Sequence, residues 1–308
     1  MSETAVAAPE KLTKKQLSAD HPTWCPGCGD FAVLASFFKV LEKLQIPQEK
    51  IVTIAGIGCS SRFPYFVNSH GLHFIHGRAL PLATGVSMSR PDTHVFVFGG
   101  DGDGFSIGGN HLEHCARKNI NVTYIIMDNY VYGLTKKQTS PTSKIGYKSK
   151  TDPTGSVDRP VNPMRKLITA GATFVARSHA SQVKHMMAMY ERAILHDGFS
   201  VVQTLSECVI FNPGSFDDSI PRKGGVFETI DEKKWDDTPE DADRHDVTDE
   251  SAGFELAKDQ YPGKFGVFFE EDRPSKNTLE QKWIDSSRER VGDATPADLL
   301  RQRFSIMK

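Results

Sequence analysis

Apolar residues recur every three or four positions along residues 31–44 (FAVLASFFKVLEKL), which predicts an amphipathic helix, and the β-branched run KIVTIAGI at 50–57 predicts a buried strand running into glycines. HVFVF at 94–98 predicts a second strand. It is followed by the glycine-rich GGDGDGFSIGG, a helix over HLEHCARKN, and a third strand, VTYIIM, that runs into Asp128 and Asn129. Apolar residues over 167–176, a helix around 182–195 and the strand SVVQTLSE continue the alternation up to Cys208. Strands alternating with helices predict an α/β fold, a mostly parallel sheet with helices on both faces. Such sheets bind ligands beyond the carboxyl ends of their strands.

The polar stretches mark the boundaries. Residues 1–20 mix acids with lysines and predict an exposed arm, and 21–217 hold the α/β pattern. Residues 218–308 are expected to be a C-terminal extension that contacts a partner. DEKKWDDTPEDADRHDVTDE is acidic and poor in apolar residues, and only the run FGVFF and a helix over PADLLRQRF follow it. Residues 141–163 are rich in Ser, Thr, Lys and Pro without periodicity and predict a long surface loop, a lid or partner contact.

Composition narrows the classes. A formal charge of −2 over 308 residues, with both signs spread along the chain, gives no basic field for nucleic acid, and no apolar run is long enough to span a membrane. No apolar stretch near the start resembles a secretory signal, so a soluble, cytoplasmic protein is expected. Five cysteines in such a chain do not form a disulfide framework, and their spacing turns attention to metal or redox chemistry.

The loop after the second strand surrounds Asp101 and Asp103 with Gly99, Gly100, Gly102 and Gly104, so backbone can approach a ligand closely while the next helix offers its unpaired N–H groups. Pyrophosphate suits that geometry. Carboxylates beside a diphosphate repel it unless a cation bridges them, and magnesium takes both carboxylate and phosphate oxygens. Asn129, directly after the next strand, reaches the same sheet edge as Asp101 and shares the ion. A glycine-rich turn with a helix-capping aspartate explains either half alone, but not both halves each preceded by a strand.

WCPGCG places Cys25 and Cys28 on a Pro-Gly turn where two thiolates meet one metal centre. No second close pair exists. Cys59 in GIGCSSR and Cys208 in LSECVIFNP each follow a strand, whereas Cys115 lies in a predicted helix and is expected to be a small buried apolar residue. Spacing alone leaves a four-cysteine zinc ion and a four-iron cluster open.

WCPGCGD, GIGCSSRFPYF, HGRALPLATG, GGDGDGFSIGGNHLEH and DNYVYGLTKKQTSPTS, spread over residues 20–217, together resemble the beta subunit of 2-oxoacid:ferredoxin oxidoreductases, in particular the 2-oxoglutarate branch. The resemblance implies the diphosphate-binding domain of the thiamine-diphosphate fold, with magnesium held by Asp101, Asn129 and the Val131 carbonyl. It implies a [4Fe-4S] cluster on Cys25, Cys28, Cys59 and Cys208, and cofactor contacts from Ile57, Gly58, Ser60, His76, Gly102, Asp103, Gly133 and Leu134. Arg62 would grip the substrate's carboxylate, a task a guanidinium performs bidentately. The implied reaction is the coenzyme A-dependent oxidative decarboxylation of 2-oxoglutarate to succinyl-CoA, or its reverse, with electrons passing to ferredoxin.

This chain shows no counterpart of the glutamate that activates thiamine diphosphate, so an alpha subunit is expected to supply it in an αβ or (αβ)2 assembly. The competing readings are an enzyme acting on pyruvate or another 2-oxo acid, a non-oxidative thiamine enzyme with a zinc-stapled N-terminus, and a non-enzymatic electron carrier or interaction subunit.

Overall fold

The computed structural model describes residues 11–232, 244–261, 263–292 and 295–305. Seven strands form one sheet in the order β2-β1-β3-β4-β6-β5-β7, with β1 at Ile51–Ala55, β2 at His70–His73, β3 at His94–Gly100, β4 at Val122–Asp128, β5 at Phe174–His179, β6 at Phe199–Leu205 and β7 at Gly266–Glu270. All neighbours pair in parallel except β7, which runs antiparallel to β5. The order reverses between β1 and β3, because β1 leads outward to β2 while the chain returns to place β3 on its other side. This leaves a crevice beyond the carboxyl ends of β1 and β3, the usual ligand position in such sheets.

Alternation along the strands explains why both faces are covered. Phe96, Phe98, Ile125, Met127 and Val202 turn to one face, where they pack with α2 (Asp30–Leu44) and α7 (Val183–Leu195). Val95, Val97, Tyr124, Ile126 and Val201 turn to the other, against α4 (Ala79–Ser89), α5 (Gly109–Lys118) and α6 (Pro163–Thr169). Phe37 of α2 meets Phe96 and Phe98 edge-on at 5.0 and 5.1 Å, and Phe63 of the short helix α3 (Phe63–Phe66) stacks on Phe98 at 4.0 Å. This aromatic wedge fixes α2, and with it the cysteine loop before it, against the sheet.

The expected helix at 31–44 and the three strands through 127 are present within a few residues of their predicted bounds. The run 167–176 divides into the end of α6 and the start of β5. The structure corrects two boundaries. The arm is not exposed throughout: α1 (Lys14–Leu17) docks through Leu17, which is fully buried, and Ala19 N and Asp20 N donate to the carbonyls of Phe66 and Tyr65. Nor is 218–308 wholly separate, since FGVFF becomes β7 and α8 (Glu250–Leu256) packs under it. Phe268 and Phe269 of β7 found burial inside this chain, on the open edge of β5. Helices α9 (Lys276–Val291) and α10 (Pro296–Ser305) follow and leave Leu279, Trp283, Ile284, Leu300 and Phe304 exposed. Residues 1–10 of the expected arm and 233–243 of the acidic stretch lie outside the described residues. No described helix is long and apolar enough to cross a membrane.

Phe37→Ala should therefore cost about 3–5 kcal/mol of stability, read as a shift of the denaturant midpoint at unchanged slope, since it removes the ring shared by Phe63, Phe96 and Phe98.

Candidate functional site

A cavity of about 470 Å³ opens at the crevice between β1 and β3. Its walls come from Ile57 to Ser60 after β1, from Gly100 to Asp103 after β3, and from Asn129 and Val131 to Thr135 after β4, with His76, Gln138, Thr139 and Thr151 closing the rim. The predicted residues Ile57, Gly58, Cys59, Ser60, His76, Asp101, Gly102, Asp103, Asn129, Val131, Gly133 and Leu134 all line this one space. Parallel pairing of β1, β3 and β4 brings them together, because parallel strands in register end on the same edge.

Asp101 is buried at the head of a π-type turn over Gly102–Ile107. Thr142 Oγ1 lies 2.8 Å from its Oδ2 and 2.9 Å from Oδ1 of Asp128, so two buried carboxyl groups face one hydroxyl. Burial raises the Asp101 carboxyl above its ordinary range, against the pull of the Ser140 and Thr142 hydroxyls. Burial, together with the Asp101 charge, pushes Asp128 up to about 8. Asp101, reluctant to ionise in the cavity wall, stands with Asn129 and Val131 around the same space, and a carboxylate, an amide oxygen and a backbone carbonyl form a donor set that fits a hard divalent cation. A glycine is required at 102, since a Cβ there would sit 2.1 Å from the Tyr132 ring.

Asp103 plays a part the sequence did not suggest. Its carboxylate accepts N–H bonds from Ile57 at 3.0 Å and Gly77 at 2.8 Å, while His76 Nδ1 approaches its Oδ1 at 2.9 Å. It thus ties the loops after β1 and before α4 to the glycine loop. Gly56 must be glycine for this, as a Cβ would fall 2.2 Å from Asp103 Oδ1. His76 also reaches the Ile57 carbonyl at 3.1 Å, and the Asp103 hydrogen bond is the largest cause raising its pKa.

The cysteines gather beside the cavity. Cys28 N donates to Cys25 O, Trp24 Nε1 donates to Cys59 O at 2.7 Å, and Ser206 Oγ donates to Asp30 Oδ1 at 2.6 Å, so the WCPGCGD loop is fastened to the ends of β1 and β6. A Cβ on Gly133 would lie 3.5 Å from Cys208 Sγ and 3.8 Å from Cys59 Sγ, so only a glycine's width separates cavity from sulfur. Burial, then the Asp30 carboxylate, raises the Cys28 thiol, and the same causes push Cys59 up to about 12. Thiols this reluctant to ionise become thiolates together only when a cationic centre offsets their charge. Among the described residues, no group of three or more His, Cys, Asp or Glu side chains is placed to hold a single metal ion. Cys115 stands apart, buried in α5 with its Sγ 3.1 Å from Thr84 Oγ1.

A second cavity of about 450 Å³ shares Ile57, Gly58 and Leu134 with the first and contains Arg62, Tyr65, His73 and His21. Arg62 therefore lies off the end of the cofactor-sized space, not within it.

The family described as "Thiamine pyrophosphate enzyme, C-terminal TPP binding domain" matches residues 56–204, the segment that carries every residue lining the first cavity. A 2-oxoacid:ferredoxin oxidoreductase subunit beta from Saccharolobus solfataricus is 37% identical over 222 residues, covering 71% of this chain and 72% of its own. This chain belongs to the family of 2-oxoacid:ferredoxin oxidoreductase beta subunits. A 2-oxoglutarate oxidoreductase subunit KorB from Mycobacterium tuberculosis is 48% identical over 217 residues, although the match takes in only 58% of that subunit's length. Among solved structures, the 2-oxoglutarate:ferredoxin oxidoreductase from Magnetococcus marinus, with 2-oxoglutarate, coenzyme A and succinyl-CoA bound, superposes with a TM-score of 0.85 at 38% identity over the whole of both chains. The family places this chain among oxidoreductase subunits of the thiamine-diphosphate fold, as its sheet topology requires.

Sequence reasoning missed Tyr132, Thr135, Gln138, Thr139 and Thr151 on the rim, and Asp128 and Thr142 behind it. Only Asp128 carried a signal, standing beside Asn129 at a strand end.

The His76–Asp103 contact sets a pH dependence. The folded pKa of His76 is raised above its unfolded value, so the contact stabilises fully below the unfolded pKa and its contribution is lost as pH rises through the folded one. Asp103→Asn should lower the His76 titration midpoint, followed by proton NMR, and flatten stability across that window.

Proposed function

We propose that this chain is the beta subunit of a 2-oxoglutarate:ferredoxin oxidoreductase, which makes succinyl-CoA and carbon dioxide from 2-oxoglutarate and coenzyme A, or runs in reverse. The observation that carries the reading is the glycine-wide wall at Gly133, which puts a cofactor cavity with a cation-binding rim against Cys59 and Cys208. In this reading Asp101, Asn129 and the Val131 carbonyl hold magnesium, and the diphosphate rests against the backbone of Gly102 and Asp103. Cys25, Cys28, Cys59 and Cys208 hold a [4Fe-4S] cluster, whose sulfur ligands stand further apart than those around one ion. Bound there, thiamine diphosphate would supply the carbanion chemistry that decarboxylates a 2-oxo acid, and a cluster on these cysteines would supply a one-electron acceptor.

The chain's own residues bind and shield. Ile57, Ser60 and Leu134 line the cavity, and Arg62 in the adjoining cavity meets the substrate's carboxylate. The described cavity walls include no glutamate, so the acid that activates the cofactor comes from an alpha subunit. Tyr65, Leu72, Phe74, Ile75, Ile107 and Leu134 are exposed around the mouth and on the outer strand β2, an apolar surface of the kind an obligate partner covers. The exposed apolar side chains of α9 and α10 offer a second contact for the extension, and ferredoxin docks nearer the cysteines.

The test is co-expression with the alpha subunit followed by 2-oxoglutarate- and coenzyme A-dependent reduction of ferredoxin, with electron paramagnetic resonance of the reduced cluster. Reduction with pyruvate but not 2-oxoglutarate would overturn the substrate assignment. Bound zinc without iron would overturn the cluster. Cys208→Ala should remove the cluster's signal and ferredoxin reduction while thiamine diphosphate still binds. Arg62→Ala should raise KM for 2-oxoglutarate about 10-fold or more, with a smaller change for a 2-oxo monoacid.

A further inference from the structure

The structure assigns Asp128 as a positioning residue: by holding Tyr130 in a left-handed backbone conformation, it aims Asn129 and the Val131 carbonyl at the divalent cation. The inference rests on the cofactor reading of this site and concerns residues that touch neither cofactor nor substrate.

Tyr130 stands between the two ligands and has φ of 60°, a conformation that costs a bulky side chain about 1–3 kcal/mol unless its surroundings impose it. Returning it to an ordinary φ would rotate the peptide units on either side and move the Asn129 side chain and Val131 carbonyl apart. Three contacts impose it. Tyr130 N donates to Asp128 Oδ1 at 3.2 Å, Ser143 Oγ donates to Tyr130 O at 2.6 Å, and its ring packs edge-on against Phe216 at 4.8 Å.

Asp128 is itself held from behind. Gln203 Nε2 donates to its Oδ2 at 2.7 Å, and Arg177 Nε donates to Gln203 Oε1 at 2.8 Å. Asp128, Gln203 and Arg177 are all at least 99% buried. A buried acid at the end of a hydrophobic strand is costly and is tolerated only where its hydrogen bonds are made. In front, the Thr142 hydroxyl lies between Asp128 and Asp101, yet carries one hydrogen. With Asp101 engaged by a cation, that hydrogen is left for Asp128. Arg177 of β5, Gln203 of β6, Asp128 and Thr142 thus form a continuous chain of hydrogen bonds that ends at the ligand turn and at Asp101.

The experiment measures Mn2+ affinity in the alpha–beta complex with thiamine diphosphate, by electron paramagnetic resonance of free Mn2+. Absence of Mn2+ binding by the unmodified complex would overturn the cofactor reading itself. Given binding, Asp128→Asn should weaken it about 10-fold or more, the range typical when a group that orients metal ligands is lost. The double variant Asp128→Asn, Gln203→Glu should recover most of that loss, because the exchange keeps the hydrogen bonds and returns a carboxylate beside Arg177. Unchanged affinity in the single variant, or a double variant as weak as the single, overturns the assignment. If the Asp128→Asn complex does not assemble, Thr142→Val serves instead. It keeps the side chain's shape and removes only the hydroxyl, and an unchanged Mn2+ affinity overturns the proposal.

Discussion

Parallel pairing of β1, β3, β4 and β6 obliges four loops to leave the sheet at one edge, and everything chemical in this chain is carried by those loops. The loop after β1 brings Cys59, the one after β3 brings Asp101, the one after β4 brings Asn129 through Gly133, and the one after β6 brings Cys208. Because β1 and β3 diverge at the point where strand order reverses, the first two loops part and leave room for a ligand between them. The same pairing makes the β4 and β6 loops neighbours, which is why Gly133 abuts Cys208. An antiparallel sheet with the same segments would have dispersed these residues to opposite edges.

Burial then sets the electrostatics. Asp101, Asp128, Asp30 and the thiols of Cys28 and Cys59 are all taken from water, and each is driven toward its neutral form. The chain answers this with hydrogen bonds at Asp30 from Ser206 and at Asp128 from Gln203, and at Cys59 with the nearby charge of Arg62.

The surface around this edge is incomplete. Apolar side chains ring the cavity mouth, β2 is an exposed outer strand, and the described cavity walls include no glutamate. Membership in a family of beta subunits accords with this incompleteness.

The local chemistry was legible in the sequence because it is written in contiguous motifs. GGDGDG, DNYVYG, GIGCSSR and WCPGCG each hold their residues within one turn of backbone, and alternation of apolar runs with helical periods fixed the parallel sheet that joins them. What only the tertiary structure decided are relations across the chain. The carboxylate of Asp103 accepts from Ile57 and Gly77, because the loop before α4 folds over it. Leu17 docks and FGVFF closes the sheet edge beside β5, because apolar segments too short to carry a periodic signal still seek the nearest uncovered surface. Asp128 gains a role because Gln203 of β6 and Arg177 of β5 stand behind it. Sequence periodicity reports which way a side chain points along its own element, and hydrogen bonds between distant elements depend on how those elements are packed.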